Sequence, residues 1–127
     1  MTRLICILMA GLILVLALCI FSQLYLTSTS NEICAELQPI DKAMAAGDWA
    51  QGRERLQAAE RKWQEVSKLW RMIVDHGSMR DIEHGFVDMR VMLERQNAEQ
   101  TAKELATLIY FLRHVPESEK ADLQNIF

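Results

Sequence analysis

The stretch WAQGRERLQAAERKWQEVSKLWRMI, residues 49–73, decides the fold. Trp49, Leu56, Trp63 and Trp70 recur at seven-residue intervals, and Gly52, Ala59, Val66 and Ile73 interleave as a second seam. Two seams at that spacing draw one stripe along an α-helix. Arg53, Arg55, Glu60, Lys62, Glu65 and Lys68 fall on the other side, a mixed charge set of the kind found on a solvated surface. A helix apolar along one stripe must bury it against other helices. Trp63 and Trp70 are therefore expected in the core seam of a small domain, where their area counts most, with an exposed platform for a partner as the other role open to them.

Toward the N-terminus, Gly47 suits the left-handed residue that ends one helix, and Asp48 suits the cap that opens the next. The preceding helix is expected from about Asn31 to Ala46, with Ile33, Leu37, Ile40 and Met44 on one face, a bend at Pro39, and an upstream end that can run directly out of the segment before it. That segment is apolar without interruption from Leu4 to Phe21, and Leu24, Tyr25 and Leu26 extend it past Ser22 and Gln23. Eighteen residues at ~1.5 Å each cover about 27 Å, close to a hydrocarbon core. A cleaved signal peptide is the competing reading, but the run exceeds an h-region, and Ser28-Thr29-Ser30 makes a poor cleavage site. Leu16-Ala17-Leu18-Cys19 is not a lipoprotein signal, because Leu18 is not small. Residues 1–26 are thus expected to be a transmembrane anchor that meets the lipid bilayer through residues 4–26, followed by an extracytoplasmic helical domain over 27–127.

Arg3 precedes the span and Glu32, Glu36 and Asp41 follow it, so the N-terminus is expected inside and the domain outside. With only Met1 to Arg3 on the inner side, a signal would have to cross through a partner helix. Cys6, Ala10, Ile13 and Ala17 fall near one line of the span, either as lipid-facing residues or as a stripe on which another helix, including that of a homodimer, could pack. Cys34 stands alone outside the span and is expected to act as a buried small hydrophobe.

Toward the C-terminus, Asp75 to Ser78 interrupts the pattern, with Gly77 expected to terminate the tryptophan helix and Ser78 or Asp81 to start the next. The third bundle helix presents Met79, Ile82, Phe86, Met89 and Leu93. Asn97 is expected to cap a fourth, whose buried face is Ala102, Leu105, Leu108, Ile109, Leu112 and Val115. Pro116 should stop it and turn the tail back, so that Leu123, Ile126 and Phe127 cover the bundle or are offered to a partner. No period-2 alternation suggests a strand. The fold class is all-α: a single N-terminal transmembrane helix followed by an antiparallel four-helix bundle or a pair of helical hairpins.

Function is less legible. Of 14 basic residues only Arg3 precedes Glu32, leaving 13 against 17 acidic residues, or −4, in the remainder. That balance argues against nucleic acid as a partner and against a polybasic lipid-surface patch. No nucleophile elbow, phosphate-cradling glycine loop or paired-cysteine metal motif occurs, so neither catalysis, cofactor nor metal is expected. Asp75, His76, Glu83, His84 and His114 are suitable ligand types, but His76 and His84 are eight residues apart rather than the four of a helical metal pair. His76 is expected instead at a helix C-terminus, where positive charge is favoured. The residues most open to interaction are Trp63, Trp70, His76, His114, Leu123, Ile126 and Phe127. A protein-interaction module docking on a membrane or envelope protein is the expected function. A small-ligand sensor with its pocket near Trp63 and Trp70, acting through a membrane partner, is the alternative.

Ser30-Asn31-Glu32-Ile33, Lys62-Trp63, Trp70, Asp75-His76, and the closing run from His114-Val115-Pro116-Glu117 to Asn125-Ile126-Phe127 resemble a family of short bacterial membrane-anchored proteins, the domain of unknown function 4363. The resemblance spans nearly the whole chain and is most specific in the tail. It implies a helical extracytoplasmic domain, mostly in Gram-positive and often spore-forming lineages, and carries over no catalytic or binding residue. Pro39 and Gly77 depart from the uninterrupted helices of that family.

Overall fold

A computed structural model describes residues 1–126, with side chains through Asn125. Five helices follow in order: α1 (Thr2–Leu37), α2 (Pro39–Ala45), α3 (Trp49–Ile73), α4 (His76–Glu94) and α5 (Ala98–Ile126), and no strand occurs among the described residues. The segment entering the bundle is continuous with the apolar N-terminal run: α1 runs 36 residues without a break across position 26. Its first interruption is at Gln38, because Pro39 has no N–H to continue the ladder but sits well at the first position of α2. The pair α1/α2 is one slightly broken rod.

That rod packs on α3 and α5, α3 packs on α4, and α4 packs on α5, closing a ring of antiparallel neighbours. Direct packing of α1 on α5 makes this an all-α four-helix bundle rather than two separate hairpins. The core is one cluster drawn from every helix: Leu26, Ile33 and Leu37 from α1, Ile40 from α2, Leu56, Trp63 and Trp70 from α3, Met79, Ile82, Met89 and Leu93 from α4, and Leu105, Leu108 and Leu112 from α5. Trp63 lies edge-on to Trp70 with ring centroids 5.3 Å apart and stacks on Phe86 at 6.0 Å. Both tryptophans thus occupy the core seam that their spacing predicts.

Helix ends follow the sequence where side chains cap them. Gly47 at φ 72° closes α2, with its N–H donating to Met44 O and the Asp48 N–H donating to Ala43 O. The Gln51 N–H donates to the Asp48 carboxylate, and the Gln100 N–H to Asn97 Oδ1. Elsewhere the expectations need correcting. Gly77 does not terminate α3; it lies in the first turn of α4. Asp75 is the cap, its carboxylate accepting from the Ser78 N–H at 3.0 Å and the Ser78 hydroxyl at 2.7 Å. His76 accordingly sits at a helix N-terminus, not a C-terminus. Ala102 is exposed, and Thr101 takes the core position with its hydroxyl satisfied by Asn97 O.

Pro116 does not stop α5, which runs on to Ile126. A proline inside a helix orphans the carbonyl four residues earlier, here Leu112 O. The Ser30 hydroxyl of α1 donates to that oxygen at 2.6 Å, and Gln23 Nε2 donates to Pro116 O at 2.9 Å. With its freed carbonyl satisfied from the neighbouring helix, α5 continues past the proline and the tail does not fold back over the bundle.

Candidate functional site

The two polar bonds from α1 set α5 antiparallel to it in a fixed register: Ser30 faces Leu112, Gln23 faces Pro116, and Leu123 lies beside Leu16, Cys19 and Ile20. The last turns of α5 thus travel alongside the apolar segment of α1. Between the two helices lies a cavity of about 550 Å³ lined by Gln23, Leu24, Thr27, Ser30, Asn31, Arg113, Pro116, Glu117 and Lys120. Next along α1, sharing Gln23 and Leu24 with it, is a groove of about 420 Å³ walled otherwise by Leu16, Cys19, Ile20 and Leu123. Most residues lining the upper compartment are polar, two cations and one carboxylate among them, although carbon makes up most of its surface; the lower is lined by apolar side chains except for Gln23.

Gln23 stands where the compartments meet. Its amide nitrogen is engaged by Pro116 O, while its Oε1 is buried with no hydrogen-bond partner among the described residues. A buried amide oxygen without a donor is uncommon. Arg113 also lies beside Cys34, whose thiol burial pushes above its ordinary value while the guanidinium works in the opposite direction. Cys34 is 1% exposed and packs as a small hydrophobe.

A second polar network ties α1 to the tryptophan seam. Trp70 Nε1 donates to Thr29 Oγ1 at 2.9 Å, and the Thr29 hydroxyl donates to Tyr25 O at 2.7 Å. Salt bridges then run along α3 on both sides: Lys62 with Glu32 and Arg55 with Glu36 reach α1, while Arg71 with Glu83 and Arg90 with Glu60 reach α4. The hydrogen bond from Lys62 to Glu32 holds the Lys62 ammonium above its ordinary range.

The residues singled out from sequence are dispersed. Trp70 is fully buried and Trp63 nearly so, with a shallow groove of about 220 Å³ beside Trp63 between α3 and α4. His76 and His84 are exposed on α4, and His114 is exposed on α5, stacked on Tyr110 with centroids 5.3 Å apart. Asp75 is occupied by capping and Glu83 by Arg71. No group of three or more His, Cys, Asp or Glu able to hold a metal is found among the described residues. Cys6, Ala10, Ile13 and Ala17 are exposed on α1, away from the bundle. Leu123 is half-buried at the apolar groove, whereas the Ile126 side chain and Phe127 lie outside the described residues.

Sequence reasoning misses Gln23, Arg113 and Lys120. Gln23 does carry a signal, as the one amide between the uninterrupted apolar run and Leu24-Tyr25-Leu26. Arg113 and Lys120 do not, because they meet Gln23 only through the register that Ser30 and Pro116 impose.

No curated protein and no solved structure matches the chain. From within α1 to the end of α5, over residues 20–126, it matches the family described as a domain of unknown function, DUF4363, and the chain belongs to that family.

Proposed function

We propose that this chain is a single-pass membrane protein whose helical bundle, held at the outer face, is a non-enzymatic docking module for another membrane or envelope protein. The observation that carries the proposal is the continuity of α1, which is long and apolar enough to cross a membrane and whose last turns are part of the bundle core. Leu4, Ile7, Leu8, Ile13, Leu14, Leu18, Ile20 and Phe21 are each more than half exposed on α1, an apolar surface far larger than a soluble protein keeps bare. Lipid is the natural cover for it.

The same continuity argues against a cleaved signal. Cutting near Ser28-Thr29-Ser30 would remove Leu26 from the core and separate Thr29 from Trp70 or Ser30 from Leu112. Arg3 before the span and Glu32, Glu36 and Asp41 after it support an outward-facing domain. A sensor pocket around the tryptophans has less support, since Trp70 packs without exposed surface.

Two experiments test the proposal. Protease added to intact protoplasts should digest the bundle while cytoplasmic markers survive; a protected bundle overturns the orientation. Affinity capture of the full chain from detergent-solubilised membranes should yield a discrete stoichiometric membrane or envelope protein. Purification without one, but with a metal or small molecule bound, would reject the docking role.

A further inference from the structure

We propose that the end of α5, from Glu117 onward, is a strap that swings off α1 at Pro116 when α1 enters a bilayer. The inference rests on α1 crossing the membrane and goes beyond that reading by naming a part of the chain that moves when it does.

Register and depth conflict. The apolar run of α1 ends at Phe21, which stacks on Tyr25 with ring centroids 6.3 Å apart, an aromatic pair of the kind found where a span meets its interface. Pro116 is level with Gln23, just outside that edge, and Leu123 lies beside Leu16, Cys19 and Ile20. Descending α5 therefore leads into the hydrocarbon layer. At ~1.5 Å per residue Lys120 sits about 6 Å and Asp122 about 9 Å inward of Pro116. Glu117, Lys120, Asp122, Gln124 and Asn125 are all exposed, so lipid would surround them. Charged side chains at such depth are rare unless they pair or line water. Glu117, Lys120 and Asp122 take part in no ion pair among the described residues.

Little holds the strap against that cost. Among the described side chains beyond Pro116, the half-buried Leu123 is its apolar contact with the span. Lipid replaces that contact at no loss to Leu16, Cys19 or Ile20. Like charge opposes docking too, since burial and then the charges of Asp122 and Asp75 work against ionisation of Glu119. Sinking the span less deeply is the costlier way out. Clearing Leu123 would leave Leu4 to Val15, twelve residues or about 18 Å, to cross ~30 Å of hydrocarbon.

Pro116 supplies the joint. It gives no N–H to Leu112 O, so the ladder is already open there, and Ser30 donates to that oxygen whether or not the helix continues. A helix ending at Pro116 leaves its last carbonyls short of donors, and Gln23 already donates to Pro116 O. The two bonds from α1 thus hold α5 down to the proline and fix nothing beyond it.

The test uses the full chain with Cys6→Ala and Leu123→Cys, which sets a new thiol beside native Cys19 and leaves Cys34 buried. In phosphatidylcholine liposomes, resistance to alkaline extraction first establishes insertion. A thiol oxidant then reports docking as a disulfide between positions 19 and 123, quantified by mass spectrometry. Adding Glu117→Leu, Lys120→Leu and Asp122→Leu removes the charges, and that chain should stay docked and form the disulfide. The chain that keeps its charges should form about ten-fold less. Pro116→Ala restores the helix donor and should raise that lower yield. Circular dichroism of each variant confirms that the bundle is folded.

Equal yields from the charged and charge-free chains, whether high or low, would overturn the strap, and a bilayer seated lower on α1 would give high yields in both. A yield unchanged by Pro116→Ala would overturn the hinge. Extraction of the chain from the liposomes would sink the membrane reading itself, whereas insertion with equal yields sinks this inference alone.

Discussion

Ser30 and Pro116 are a matched pair: one residue removes a donor, and the other supplies it from a distant part of the sequence. Ser30→Ala leaves Leu112 O buried without a partner and is expected to destabilise the chain by ~1–3 kcal/mol. In a Pro116→Ala background the restored N–H should satisfy Leu112 O, so Ser30→Ala should cost clearly less there, as a double-mutant cycle of denaturant unfolding would show. Equal costs in the two backgrounds would reject the pairing. Nothing in the local pattern reveals it, since Ser28-Thr29-Ser30 resembles a weak cleavage site and its hydroxyls carry no periodicity. The tryptophans are legible because the largest side chain, repeated every seven residues, fits little besides a buried helix seam. Glu119 adds a pH dependence. Burial, reinforced by the charges of Asp122 and Asp75, raises its carboxyl above the ordinary value. The folded chain then holds the proton to higher pH than the unfolded chain, so this residue's contribution to stability falls as pH rises from the unfolded value through the raised folded one. Glu119→Gln should melt higher than wild type at pH 7, with the gap closing as pH falls to about 4. A gap that instead widened with acid would reverse the assignment.

At the scale of elements, the helices that the sequence announces are those whose caps and stripes agree. Asp48 and Asn97 cap as their positions suggest, and Met79, Ile82, Phe86, Met89 and Leu93 of α4 all face the core. Two helix ends depart from expectation for the same reason: glycine and proline break a helix only where nothing else satisfies the backbone. Gly77 is tolerated because Asp75 already satisfies the first amides of α4, and Pro116 because α1 satisfies the orphaned carbonyl. The α4/α5 corner offers a prediction. Gln96 takes φ 52° there, a left-handed conformation, with its N–H donating to Leu93 O and the Asn97 N–H to Met92 O. Glycine enters that region without a Cβ penalty, so Gln96→Gly should raise stability by ~0.5–1 kcal/mol in thermal unfolding. Gly47 performs the same task at the α2/α3 corner, where Gly47→Ala should be destabilising by a similar amount. An unchanged melting point in both would mean that the corners do not constrain the bundle.

For the whole molecule, the bundle and the run of its first helix out of the apolar segment are legible in the sequence, and the course of α5 along that segment is not. Periodicity describes each helix alone, while the course of α5 along α1 depends on contacts between residues far apart in sequence. That course predicts the effect of truncation. Because Leu123 rests on Leu16, Cys19 and Ile20 rather than in the bundle core, removing residues 123–127 should shift the melting temperature of the detergent-solubilised chain by less than ~4 °C. A larger fall would place these residues in the stability of the bundle after all. The unbroken course of α1 from span to core has a mechanical consequence. No hinge separates the two, and α5 braces the junction from one side, so if α1 crosses a membrane as proposed, bundle and span form a stiff lever with its pivot at the membrane surface. A partner that pulls the bundle over by ~10° carries the far end of a ~30 Å span about 5 Å sideways through the bilayer. On that proposed topology, a load applied to the domain would be felt on the opposite side of the membrane without any change in the fold.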